Sequence, residues 1–339
     1  MRRLIVALIV WSSAFLVVPL QAQGLEKPKL TIAVGGKSLF YYLPLTIAER
    51  LGYFKDEGLA AEIVDFPGGA KALEAIVGGS ADLVSGAYEH TISMQAKGIA
   101  IEALVVQGRY NGIVLGLQKA KAPSYKSPKD LKGMKVGVTA PGSSTNYFVN
   151  TLLARDGLPP DSVAIIGIGA GAGAVAAMQR GDIDAISNLD PVITQLEMAN
   201  TIAPVVDTRT AQGMKQVYGD AYAAGSVYAR ADFAKTYPRT TQAVVNAMVR
   251  ALKWIQKATP DQIVAAVPPE YYGANKTLYE AALKKNLEGF SPDGLNSMQA
   301  AENVYKVLKA FDPLVQKAKI DLGKTFDNTF VQQALKKYP

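Results

Sequence analysis

Cysteine is absent from the 339 residues, and histidine occurs once, as His90. Disulfides, cysteine nucleophiles, thiolate zinc sites and a lipid-bearing N-terminal cysteine are therefore closed to this chain, as is any site needing two imidazoles. Charged side chains make up only 19%. Lys and Arg are scattered, with no basic stripe interleaved with aromatics, so nucleic acid is not an expected partner. The hydrolase signatures G-x-S-x-G, S-x-x-K and H-E-x-x-H are missing. Carboxylates do not gather as a metal loop would require. No cofactor or metal is expected on these grounds. After Leu20 no run is long and apolar enough to span a bilayer. Whatever the chain binds must be held by oxygen ligands, backbone N–H groups, Arg, Lys and aromatic rings.

Apolar residues reach 49%, enough for sizeable cores and too many for a disordered chain. Met1-Arg2-Arg3, the apolar run Leu4 to Leu20 and the small residue Ala22 form a secretory signal-peptide pattern. Cleavage after Ala22 and a periplasmic location are the expectation. Loss of the two arginines lowers the formal charge from +7 to +5.

Strand and helix signals alternate through the next two thirds of the chain. Leu30–Val34, Glu62–Phe66, Ala81–Val84 and Ile101–Val106 read as strands, with helical patterns at Leu43–Leu51, Ala70–Val77 and Thr91–Ala96 between them. The order then recurs. Lys135–Thr139 and Val163–Ile166 are strands, a helix runs to Arg155, and another covers Ala174–Gln179. Gly181-Asp182-Ile183-Asp184-Ala185-Ile186-Ser187 echoes Gly79-Ser80-Ala81-Asp82-Leu83-Val84-Ser85. Two similar α/β lobes, each a mostly parallel sheet flanked by helices, follow from this. Beyond a strand at Ser226–Ala229 the chain turns helical: Pro238 opens one helix, and Leu278–Leu287 and Ser297–Phe311 form others. Their apolar stripes predict packing on one of the lobes.

In open parallel sheets ligands lie beyond the C-terminal strand ends. The first lobe offers Gly35 to Tyr42 there, and hence Ser38, Phe40, Tyr41 and Tyr42, joined by Tyr88 and Glu89 after the third strand. The second offers Ala140 to Asn146. A helix starting at Ser143, Ser144, Thr145 and Asn146 combines free N–H groups, hydroxyls and a positive dipole end, which suits an oxyanion. An ordinary N-cap needs only one of those hydroxyls, and the motif alone does not choose. Asn188, just past the echoing strand, and Arg109, where the chain leaves the first lobe, complete the candidates. Arg109 either neutralises an anion or points to solvent; Glu89 caps its helix or faces the cleft; a lone His90 reads as structural. Asp190-Pro191 reads as a helix cap, and the glycines from Gly167 to Gly173 as a tight turn rather than a dinucleotide fingerprint.

Tyr42-Leu43-Pro44-Leu45-Thr46-Ile47-Ala48-Glu49-Arg50-Leu51-Gly52-Tyr53-Phe54 resembles the opening motif of substrate-binding proteins of the nitrate/sulfonate/taurine ABC-import class, with thiamine-precursor-binding proteins as near relatives. Asp130-Leu131-Lys132-Gly133-Met134-Lys135-Val136-Gly137-Val138 resembles a second segment of that class, and Arg230-Ala231-Asp232-Phe233-Ala234 its return segment. The resemblance implies a two-lobed periplasmic-binding-protein fold of type II with two hinge crossovers, near Gly108–Gly112 and Gly225–Arg230. Lobe 1 would hold residues 30–108 and 231–339, and lobe 2 residues 109–230. It implies a non-catalytic receptor, a monomer, that passes a small-molecule ligand to the permease and ATPase of an ABC importer. A small organic anion, sulfonate or carboxylate, is the expected ligand. A pyrimidine-like thiamine precursor and an enzyme on the same scaffold are the alternatives.

Overall fold

The computed structural model describes residues 24–219 and 221–339. The expected signal segment lies outside them. Among the described residues ten strands form two five-stranded sheets. They are β1 (Lys29–Val34), β2 (Ala60–Asp65), β3 (Leu83–Ala87), β4 (Ile101–Val106), β5 (Val114–Gln118), β6 (Lys135–Val138), β7 (Ala164–Gly167), β8 (Ala185–Asn188), β9 (Ile202–Asp207) and β10 (Gly225–Arg230). The first sheet runs β2-β1-β3-β10-β4 and the second β7-β6-β8-β5-β9. Each contains one antiparallel insertion, β10 and β5 respectively. The α/β class and the mostly parallel lobes follow the sequence pattern.

The two orders are one topology used twice, and the sequence echo has a physical cause. Asp82 accepts a hydrogen bond from the Thr31 N–H at the start of β1. Asp184 does the same for Lys135 N–H at the start of β6. Each aspartate also holds a lysine, Lys27 in the first lobe and Lys121 in the second. In both lobes the central strand is thus pinned to the strand beside it by a carboxylate that supplies an acceptor to an otherwise idle N–H.

Three expectations need correction. Strand β5 and strand β9 were not foreseen. Gly116 and Pro204 break the apolar runs, and they face each other where the pairing shifts register past Val205. The third strand begins at Leu83 rather than Ala81, because Ser80 and Ala81 still donate to the preceding helix at Ala75 O. The strand Gly225–Arg230, assigned to the second lobe, pairs with β3 and β4 in the first sheet. The return crossing therefore lies ahead of Gly225. There Gln107 and Gly108 N–H donate to Gly225 O, and Ala224 N–H donates to Gly108 O, so the two crossing segments run side by side.

The C-terminal helices cover the first lobe. Helix Pro238–Lys257 buries Val244, Val245, Met248, Val249, Leu252 and Ile255. It packs on the helix Leu43–Arg50 and on Thr329–Lys337. Two parts of this segment also reach the second lobe: in helix Lys276–Asn286 Lys285 pairs with Glu197 and Asn286 Nδ2 donates to Asp190, and from helix Met298–Lys309 Asn303 Nδ2 donates to Tyr218 O.

Candidate functional site

The strand-end turns of the two lobes meet face to face. Gly35 and Gly68 allow this. A Cβ on Gly35 would fall 2.2 Å from the Gly68 carbonyl carbon, and one on Gly68 would lie 2.9 Å from Ala140 Cβ. Gly36, at φ +97°, faces Ala170 of the other lobe in the same way. A side chain at Gly36 or Gly68 would hold the lobes apart, and one at Gly35 would displace Gly68 within the first lobe. Across this seam Ser143 Oγ accepts from Ala70 N–H at 2.9 Å. The helix starts at Gly69 and Ser144 therefore confront each other, and Ser143 caps the helix of the opposite lobe rather than its own.

His90 sits beneath this seam, fully buried. Its Nε2 lies 3.3 Å from Gly142 O in the second lobe, and its Nδ1 lies 2.9 Å from the Tyr228 hydroxyl. A carbonyl can only accept, so Nε2 carries the proton and Nδ1 accepts from Tyr228. Burial pushes the imidazole pKa down to about 4, against the raising effect of the Gly142 bond. His90 is a neutral bridge between lobes, in line with the structural reading of the sequence. A Cβ on Gly69 would be 3.5 Å from the Tyr42 hydroxyl, 3.6 Å from His90 Cε1 and 3.8 Å from Ser143 Oγ. These groups converge on one point.

Behind that point lies a nest of aromatic hydroxyls around Glu89. Glu89 is 1% exposed, and burial raises its pKa to about 7. Tyr222 donates to its Oε1 at 3.2 Å, while its Oε2 has no hydrogen-bond partner. Tyr41, Tyr218, Tyr222 and Tyr228 are buried with it, and burial raises the pKa of each. The Tyr218 and Tyr222 rings stack at 4.3 Å, and Asn111 Nδ2 donates to the Tyr218 hydroxyl. The Tyr41 hydroxyl, Asn111 Oδ1 and Ser226 Oγ are buried and unpartnered. Such groups cost free energy when nothing bonds them.

The sequence candidates separate into three groups. Tyr41, Tyr42 and Glu89 come together in this nest, and Ser143 and Ser144 stand at the seam. Tyr88 is fully buried elsewhere, its hydroxyl bonded to Thr325 of the C-terminal segment. Phe40 packs edge-on against Tyr279 at 4.7 Å and donates its N–H to Asp190 O. Arg109 is exposed, stacks over Tyr110 and donates to Glu288 O. Thr145 Oγ1 is bonded at Thr139, Asn146 Oδ1 accepts from Gly142 N–H, and Asn188 bridges Gly169 O and Leu189 N–H. Ser38 is half-buried on the first turn. Asp190 caps its helix by accepting from Thr194 N–H, as the sequence predicts, and also pairs with buried Arg209. Sequence reasoning missed Asn111, Tyr218, Tyr222, Ser226 and Tyr228. Asn111 and Tyr222 lie on the two crossing segments, Tyr218 ends the helix Ala211–Tyr218, and Ser226 and Tyr228 lie on β10; nothing in the local pattern marks them as a site.

Comparison with known proteins follows the same lines. The NMT1-like family model matches residues 23–267. A protein of known structure from Bordetella bronchiseptica RB50 is 53% identical, with a TM-score of 0.91 over 94% of this chain and 100% of that one. A putative aliphatic sulfonates-binding protein of Bacillus subtilis (strain 168) is 26% identical over 305 residues, 87% of this chain and 86% of its own. The 4-amino-5-hydroxymethyl-2-methylpyrimidine phosphate synthase of Aspergillus parasiticus is 26% identical over 177 residues, 52% of this chain and 49% of the enzyme. The two-lobed fold is that of solved periplasmic binding proteins.

Proposed function

The chain belongs to the NMT1-like family, and on that premise we propose that it is an extracytoplasmic solute-binding receptor of an ABC importer. It captures a small organic anion, of sulfonate or carboxylate type, between its lobes and performs no chemistry on it. The observation that carries the reading is the seam. Two helix starts from different lobes meet over Tyr42 and His90, with Ser143 reaching from one lobe to the other. A ligand that touches both lobes stabilises the closed form by the difference between its contacts in the closed and open states. Helix starts favour negative charge, and a relative matched over 87% of this chain is named a putative aliphatic sulfonates-binding protein.

The shorter likeness to a pyrimidine synthase supports an enzyme less well. Both nitrogens of His90 are engaged, one with Tyr228 and one with the opposite lobe. The permease and ATPase partners are implied by the family role.

Small-angle scattering and calorimetry test the proposal together. A sulfonate or carboxylate that binds should shrink the radius of gyration, and Ser144→Ala should weaken its binding. An unchanged scattering profile at saturation would replace the closing receptor by a fixed-pocket protein. Binding that is indifferent to Ser144→Ala would reduce that hydroxyl to a cap.

A further inference from the structure

Three buried polar atoms in one nest lack partners: Glu89 Oε2, the Tyr41 hydroxyl and Asn111 Oδ1. Their residues are 1%, 9% and 1% exposed. Glu89 and Asn111 are tied together through the stacked Tyr218 and Tyr222, each of which bonds one of them. Two of the unpartnered atoms, the Glu89 oxygen and the Asn111 carbonyl, are acceptors. The third is a hydroxyl that serves either way. The groups that stabilise a charge on Glu89 are its own backbone N–H and the Tyr222 hydroxyl, with no lysine or arginine among them. A buried carboxyl with a spare oxygen and no cation is a poor place for an anion. It is a prepared place for a donor, because a carboxylate recovers its lost hydration only from N–H or O–H groups.

We infer that this nest receives the hydrogen-bond-donating end of the solute, and that the solute carries an ammonium, amidinium or comparable N–H group. The inference rests on the receptor reading and deepens it. The seam of helix starts suits one end of the solute, and Glu89 with Asn111 suits the other. Aromatic rings of Tyr41, Tyr218 and Tyr222 wall the nest, and their faces favour a cation over an anion as well.

The test is a thermal-shift screen of the full exported protein against a broad metabolite library. The library includes matched pairs, such as aminopropanesulfonate with propanesulfonate and guanidinoacetate with acetate. Calorimetry of every stabilising solute follows, on wild type, Glu89→Gln and Asn111→Leu. The expected result is that stabilising solutes carry an N–H group. Removing that group from the solute should cost roughly ten- to hundredfold in affinity, and Glu89→Gln should cost about the same. For the solute without its N–H group, Glu89→Gln should change little. Solutes that bind equally well without the N–H group overturn the inference and leave the receptor reading intact. That comparison needs only wild type, so it stands even where a variant fails to fold. A screen in which no solute stabilises the protein counts against the receptor reading itself, and this inference falls with it.

Discussion

Replacing Glu89 by Gln should make the protein more stable at neutral and alkaline pH, and the gain should vanish in acid. The carboxyl is 1% exposed, and burial raises its pKa from an ordinary 4.5 to about 7. Between those two values the folded protein keeps a proton that the unfolded chain has already released. The stability this group contributes is therefore complete below pH 4.5 and is lost as pH rises through 7. The gap corresponds to about 3 kcal/mol. Glutamine has no proton to lose. The difference in unfolding free energy, variant minus wild type, should climb by about 3 kcal/mol between pH 4.5 and 8 and then level off.

His90 works in the opposite sense and does not disturb the comparison. Its pKa falls from 6.5 to about 4, so its contribution is complete above pH 6.5 and is lost as pH falls through 4. It is present in both proteins and largely cancels in the difference. The other titratable groups facing Glu89 are Tyr41, Tyr42, Tyr147, Tyr218, Tyr222 and Tyr228, whose pKa values burial raises further from neutrality. Urea unfolding followed by circular dichroism, at half-unit pH intervals, gives the curve. A flat difference would refute the argument, since it would mean that Glu89 faces water in solution. A difference that falls with pH would mean that a cation holds the carboxylate. A bound ammonium solute should itself flatten the response, because it would keep Glu89 ionised.

Three further outcomes are expected. Gly68→Ala brings a Cβ to 2.9 Å from Ala140 Cβ and 3.0 Å from the Thr139 carbonyl carbon; solute affinity should fall and scattering should report a more open protein, while far-UV circular dichroism stays unchanged. Ser144→Ala should cost an anionic solute roughly 1.5–3 kcal/mol of binding by calorimetry, the range for a charge-assisted hydrogen bond. Arg209→Met should lower the unfolding free energy by about 3–5 kcal/mol, because it strands Asp190, which is 0% exposed, without its cation.

What was legible in the chain and what was not divides along physical lines. Strand and helix alternation is written in local periodicity, and the echo of Asp82 in Asp184 is written in identity. Both aspartates fasten the equivalent N–H of β1 and of β6, so a backbone requirement repeated in the fold repeats in the sequence. The turns were legible for a similar reason: only glycine tolerates the contact of Gly35 with Gly68, and of Gly68 with Ala140. Strands β5 and β10 were harder. Each enters its sheet antiparallel, directly after a crossing between lobes, and their placement depends on chain topology rather than on any property of their residues.

The site was the least legible part, and Tyr88 and Tyr41 explain why. Both were named as aromatic candidates on proximity to a strand end. In the folded chain the Tyr88 hydroxyl is satisfied by Thr325, more than two hundred residues away, and the ring is ordinary core. The Tyr41 hydroxyl is buried with no partner. Nothing local distinguishes the two; satisfaction is a property of the whole fold. The same holds for Glu89. From the sequence it either caps its helix or faces the cleft. Its helix start gives it only its own N–H, and the crossing segments gather Tyr218, Tyr222 and Asn111 around it. On the receptor reading those segments are the hinge, and parting the lobes there would separate Glu89 from Tyr218 and Asn111. A solute recognised there would read out closure directly, which ties the chemistry of Glu89 to the motion on which capture and release depend.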